Sequence, residues 1–195
     1  MRDEIILMGP MASGKSTLSR ALSQILEKPH LDLDTIKWDY FAFFGYHEKE
    51  ASEAFSRDGI RGLHDYYKIF EFKTLKRIFS KYKGCIFDLG AGFTAYENRT
   101  YQSKVNSLLA NFSNKFILLP HKNFEHSDDI LTKRFSKRFH LDNELENIMN
   151  STPNFNLNYN FLKFYYDNQM SCQIIYTAGR TIESAANEII EHLNN

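Results

Sequence analysis

Gly9, Gly14, Lys15 and Ser16 stand at the spacing G-x-x-x-x-G-K-[ST], within Gly9-Pro10-Met11-Ala12-Ser13-Gly14-Lys15-Ser16. The two glycines let the backbone take conformations and close approaches that a side chain would block. The amides of Met11, Ala12, Ser13 and Gly14 can then turn inward and cradle phosphate oxygens. Lys15 reaches β- and γ-phosphates, and Ser16 can set its hydroxyl on Mg²⁺. Thr17 supports the start of the following helix. The ligand implied is ATP with Mg²⁺. What the motif leaves open is the fate of the last phosphate: water, a small molecule, or nothing takes it.

The motif needs a strand before it and a helix after it. Glu4-Ile5-Ile6-Leu7-Met8 is a short apolar run that predicts a buried parallel strand, and Leu18, Ala21, Leu22, Ile25 and Leu26 recur at helical spacing until Pro29. Further strands are expected at Leu31–Asp34, Cys85–Leu89, Phe116–Leu119 and Gln173–Tyr176. Helices are expected over 36–44, 48–81 (divided at Gly59 and Gly62), 98–110, 128–140, 161–170 and from Thr181 onward. Residues 141–158 are rich in Asn, Ser and acid, with weak periodicity. The expectation is a single domain over 1–195: an α/β three-layer P-loop NTPase fold, with a five-stranded parallel sheet in the order 2-3-1-4-5, helices on both faces, and a mobile lid insertion over about 134–158. Ligands on such sheets bind beyond the carboxyl ends of the strands. The loops at 9–16, 32–34, 88–92, 121–126 and 177–180 therefore matter most.

The bulk numbers narrow the function. Lys+Arg and Asp+Glu are both 24 in 195 residues, so the formal net charge is zero. A nucleic-acid footprint would show as a basic excess, and none is expected here. The first apolar run is too short for a signal peptide, and no run approaches a membrane span. The expected location is the cytoplasm. Cys85 and Cys172 are far apart, match no metal spacing and read as reduced, buried thiols. The histidines His64, His121, His126 and His140 form no ligand spacing and are expected in loops or at the surface. Trp38, Tyr40, Phe41, Phe43 and Phe44 either pack the core or wall a pocket.

The opening run through Asp32-Leu33-Asp34 resembles shikimate kinases and their gluconate-kinase and adenylate-kinase relatives. The later turn Gly90-Ala91-Gly92 and the closing segment "QIIYTAGRTIESAANEII" extend the resemblance over most of the chain. The resemblance implies a kinase that moves the γ-phosphoryl group of ATP to a hydroxyl. It implies that Asp34 organises Mg²⁺ and contacts that hydroxyl; the same residue could instead cap the helix that follows. Asp32 assists through hydrogen bonds or simply ends its strand. Asp88 holds Mg²⁺ through water or is a satisfied strand-end carboxylate. Gly90, Ala91 and Gly92 would set amides against the acceptor, or form a plain turn. Arg180 would lie beside the adenine, or stabilise a turn.

The chain departs from that family where the acceptor would be recognised. The family's Phe-Arg-x-x-Glu pattern, whose Arg grips the substrate carboxylate, corresponds to Tyr67-Lys68-Ile69-Phe70-Glu71. Lys68 keeps the charge and loses the fork geometry. Arg57 and Arg61 are nearby alternatives. The family's lid motif is absent, replaced by Lys133, Arg134, Lys137 and Arg138 on one helix. Arg134 or Arg138 would stabilise charge on the moving phosphoryl group, or the four form a solvated basic face. The reading is an ATP- and Mg²⁺-dependent small-molecule kinase with a polar or anionic acceptor, shikimate being the first to test. The alternatives are a nucleotide or nucleoside kinase, and a nucleotide-binding regulatory protein with slow ATPase activity.

Overall fold

A computed structural model describes residues 2–139, 147–168 and 171–194. Five parallel strands, β1 (Arg2–Met8), β2 (His30–Asp32), β3 (Ile86–Asp88), β4 (Phe112–Leu119) and β5 (Gln173–Tyr176), lie in the order β2-β3-β1-β4-β5. Helices flank them, among them α1 (Lys15–Leu26), α2 (Leu33–Phe43), α3 (Glu48–Lys81), α4 (Arg99–Leu109), α5 (Phe124–Phe139), α6 (Leu157–Asp167) and α7 (Ile182–Leu193). The expected strand order and layers are present.

β1 is buried on both faces, as the central strand of a parallel sheet must be. Ile5 and Leu7 point to one side and pack with Leu18 and Leu22 of α1 and Ala186 and Ile189 of α7. Ile6 and Met8 point to the other and pack with Leu75 and Ile78 of α3, Val105 of α4 and Leu162 of α6. The register brings Leu7 beside Asp88 and Asp32 beside Asp88, so the carboxyl ends of β1, β2 and β3 meet at one edge.

Several boundaries differ from the sequence reading. β2 stops at Asp32, because Asp32 rather than Asp34 is the cap of α2: its side chain accepts from the amides of Asp34 and Thr35. β4 begins at Phe112 and α5 at Phe124, each four residues early. α3 is broken at Asp58–Gly59, where Gly59 takes φ 53° and ψ −141°, open to glycine alone. Gly62 divides nothing: it sits where a side chain would collide with the Ala54 carbonyl.

The break in α3 is capped from far along the chain. Ile60 N donates to Ser151 Oγ at 2.8 Å and Arg61 N to Thr152 Oγ1 at 3.2 Å, and Thr152 donates to Asp58 O at 2.6 Å. These bonds satisfy amides that a helix start leaves orphaned. The expected lid, 134–158, thus begins on α5 and ends docked on α3 and α6; residues 140–146 lie outside the described residues. Cys85 is buried and Cys172 half-buried, and neither is in a disulfide among the described residues. No helix among the described residues is long and apolar enough to cross a membrane.

Candidate functional site

The turn between β1 and α1 is held open by its glycines. Gly9 has φ 142°, and a Cβ there would run into the Leu118 carbonyl; Gly14 has φ 103° and faces open space. α1 differs from most of its neighbours at its start, and from α3, which also lacks a side-chain cap, in having no acidic residue in its first turn. Asp32, Asn98, Asn156 and Thr181 cap α2, α4, α6 and α7 with side-chain oxygens. α1 has no side-chain cap and no acidic residue in its first turn. Its N-terminal amides and dipole are left for a ligand anion. Ser13 Oγ, fully buried in the same loop, has no hydrogen-bond partner among the described residues. A buried hydroxyl without a partner is costly, and a phosphate oxygen would complete it. Lys15 folds onto the loop itself, donating to Gly9 O at 3.0 Å and Pro10 O at 2.9 Å. These residues fit a triphosphate.

A residue absent from the sequence reading braces this loop. Asn158, buried on the first turn of α6, accepts from Met11 N at 2.8 Å and donates to Met11 O at 3.2 Å. An isolated Asn in an Asn-rich stretch carries no local signal, so only the fold reveals the clamp. From α5, Arg134 reaches the opposite side. Its guanidinium donates to Ala12 O at 3.3 Å and Thr177 Oγ1 at 3.5 Å. Burial lowers its pKa from the ordinary arginine value. Arg134 and Thr17 line a cavity of about 240 Å³ with Thr177, Ile182 and Ala185. Arg180 borders that cavity but turns back onto α7, bonded to Glu188 and to Ser184 Oγ at 3.2 Å. Arg138 lies on α5, and its side chain is outside the described residues.

On the other side of Lys15 the carboxylates gather. Asp88 is buried, and burial raises its pKa; Lys15 and a hydrogen bond from Ser16 pull it down, and Asp32 and Asp34 push it up. Behind it, Ser19 Oγ lies 3.4 Å and His30 Nε2 3.7 Å from Asp88 Oδ2. Ser16, Asp88, Asp32 and Asp34 therefore converge within electrostatic reach of one another. Among the described residues there is no ready-made cluster of three or more metal ligands. One hydroxyl and one or two carboxylates suit Mg²⁺, which takes its remaining ligands from phosphates and water.

Asp34 is the exposed member: its side chain is 60% exposed, 3.1 Å from Lys37 Nζ. It lies so close to Gly90 that a Cβ there would overlap its carboxylate. Gly92 is fixed the same way by Glu71. The turn leads into a 3₁₀ segment, Ala91–Phe93, with Asp34 of α2 against Gly90 and Glu71 of α3 against Gly92. Lys68 meets it: Nζ donates to Glu71 Oε2 at 2.8 Å and Gly92 O at 2.5 Å.

The other expected acceptor cations lie apart from this pair. Arg61 is 3.8 Å from Asp58 and over the Phe155 ring, and Arg57 is exposed before the break in α3. His64 corrects the expectation of surface histidines: it packs on Phe161, and burial, then Lys68, lower its pKa to about 2. Of the aromatic group after Asp34, Phe41 is core, whereas Trp38 is 46% and Phe43 73% exposed.

No family profile matches the chain. A curated shikimate kinase from Dictyoglomus turgidum is 30% identical over 138 residues, covering 69% of this chain and 74% of that protein. The crystal structure of shikimate kinase from Acinetobacter baumannii in complex with shikimate superposes with TM-score 0.62 at 18% identity, over 100% of this chain and 94% of that one. Deoxyadenosine kinase from M. mycoides with bound dATP superposes with TM-score 0.53 at 17% identity, over 98% and 100%. The two superpositions establish the shared fold, the sequence match goes further, and the chain belongs to the shikimate kinase family of P-loop kinases.

Proposed function

We propose that this protein is a kinase that transfers the γ-phosphoryl group of ATP to a hydroxyl of a small polar molecule. The observations that carry the reading are the start of α1, without a side-chain cap and with the orphaned Ser13 hydroxyl in its loop, and the exposed Asp34 carboxylate against Gly90. A water-directed triphosphatase would not need a second floor, 90–92, facing the phosphate loop.

Bound Mg²⁺-ATP would supply the phosphoryl group and the divalent charge that offsets its negative oxygens. The loop amides of residues 11–14 and the α1 dipole hold the phosphates. Lys15, released from Gly9 O and Pro10 O, moves its ammonium onto the β- and γ-oxygens. Ser16 and Asp88 are the donors for Mg²⁺, with Asp32 and Asp34 beside them. Arg134, already on the loop at Ala12 O, neutralises charge that develops on the transferring group. Asp34 orients the acceptor hydroxyl and accepts its proton. Ala91, Gly90 and Gly92 form the acceptor's floor. Arg138 on α5 is a second candidate for charge neutralisation, and Arg180 packs at the base side.

The test is ADP release with Mg²⁺-ATP across a panel of small alcohols. Acceptor-dependent release of at least 100-fold over the protein alone is expected for one chemical class. Slow release that no acceptor accelerates would instead mean a nucleotide-binding module.

A further inference from the structure

Two buried polar side chains of α6, Asn158 and Tyr165, take no part in the chemistry above, yet both are bonded to parts of the site. They stand two helical turns apart, with Phe161 between them, and so share one face of the helix. Asn158 pairs both edges of its amide with Met11, accepting from N at 2.8 Å and donating to O at 3.2 Å. Phe161 is buried in one cluster with Ala91 and Ala95, and Met11 packs against that cluster. The Tyr165 hydroxyl lies 2.5 Å from Thr94 Oγ1 and is also bonded to the Gly9 backbone. Thr94 is fully buried and closes the 3₁₀ segment Ala91–Phe93. One helix face thus reaches the phosphate loop at Gly9 and Met11, and the acceptor turn at Thr94.

Packing alone asks for no polar atoms at these positions. Leucine and phenylalanine would fill the same space without the cost of burying an amide and a phenol. What the polar atoms add is direction, because a hydrogen bond fixes distance and angle where apolar contact leaves slack. Phosphoryl transfer needs that precision. The reacting atoms must approach to about 3–3.5 Å, and a misplacement of about 1 Å costs about 100-fold in rate. Between Asn158 and Tyr165 the helix rises about 10 Å, a stiff spacer with the phosphate loop held at both ends and the acceptor turn at one.

We propose that Asn158 and Tyr165 are positioning residues, through which α6 sets the phosphate loop against the 90–94 turn, so that a change at Thr94 is felt at Gly9 and Met11. This rests on the kinase reading above for the roles of the two loops.

Two measurements on the full chain test it. The first needs no ligand. Thr94→Val removes a hydroxyl that does not touch the loop, and it is expected to speed hydrogen exchange of the Gly9 and Met11 amides about fivefold or more. Thr94→Ser, which keeps the hydroxyl, should exchange as wild type does. Wild-type exchange at both amides in Thr94→Val overturns the proposal. The second is the affinity for Mg²⁺ with a non-hydrolysable ATP analogue, measured well below Tm. Thr94→Val and Tyr165→Phe are each expected to weaken it about fivefold or more, and Asn158→Leu about tenfold. The double variant Thr94→Val/Tyr165→Phe should match Tyr165→Phe, since the two changes cut one bond. A merely structural role would lower Tm in these variants and leave their affinities within twofold of wild type, which overturns the proposal. A wild-type chain that binds no analogue, or shows no acceptor-dependent ADP release, counts against the kinase reading alone, whereas the exchange result decides the spacer.

Discussion

At the scale of single residues, Lys15 and His64 make opposite demands on charge. Lys15 is buried and donates to two carbonyls of its own loop. Lys15→Ala is expected to cut ATP turnover by about 10²–10³-fold, as removal of a preorganised charge donor does. A stopped assay of ADP release measures it, and a fall under tenfold would remove Lys15 from the chemistry. His64 is uncharged in the folded protein, with a pKa near 2, and takes a proton in the unfolded chain below about pH 6.5. The unfolded state then binds more protons, so stability falls as pH drops from 6.5 toward 2, by up to about 1.4 kcal/mol per pH unit. Above pH 6.5 His64 contributes no slope. Urea titrations between pH 7 and pH 5 should show this decline, and His64→Phe should flatten it while keeping the contact with Phe161. The phosphate loop was legible in the sequence because its whole geometry lies within eight consecutive residues. Lys68 was legible as a charge but not as one bonded to Glu71 and Gly92. Glu71 is three residues away on the same helix, yet Gly92 and Tyr96 join only through the fold. Asn158 was invisible, because its partner Met11 is 147 positions distant.

At the scale of elements, the break in α3 shows what local signals can and cannot give. Gly59 marked the position from sequence alone. What holds the second half of the helix in place is Ser151 and Thr152, which no periodicity could pair with Ile60 and Arg61. Each cap should be worth about 0.5–2 kcal/mol, the range for loss of an N-terminal cap oxygen. Ser151→Ala and Thr152→Ala are therefore expected to lower the urea midpoint separately. The pair should fall short of additivity, since both serve one turn. A double variant with wild-type stability would mean that the segment 147–158 does not rest on α3 in solution. The number of strands was legible because each is a short apolar run, and their order came with the family resemblance. Their ends moved because the caps decide them: Asp32 ends β2 by starting α2. The same competition placed Asp34 in the first turn of the helix, exposed and 3.1 Å from Lys37, instead of at its cap.

At the scale of the whole molecule, phosphates and acceptor would sit between two faces that different parts of the chain supply: β1–α1 and β2–β3 from the first half, α5 and α6 from the second. A ligand bridging them stabilises the folded state by mass action. At 100 times its dissociation constant, Mg²⁺ with a non-hydrolysable ATP analogue should raise Tm by about 5–10 °C. Removing Mg²⁺ with chelator should take back much of that rise, and a Tm indifferent to the analogue would contradict nucleotide binding. The central place of β1 has a different consequence, for synthesis of the chain. β1 is made first, but its neighbours are β3 at residues 86–88 and β4 at 112–119. At about 5–20 residues per second, Ile5 to Met8 emerge several seconds before either partner strand exists. During that interval the apolar Ile5–Met8 stretch, fully buried in the finished protein, is an open edge, and burial of its second side waits on β4. Nascent chains stalled before residue 112 should therefore be the ones that chaperones hold.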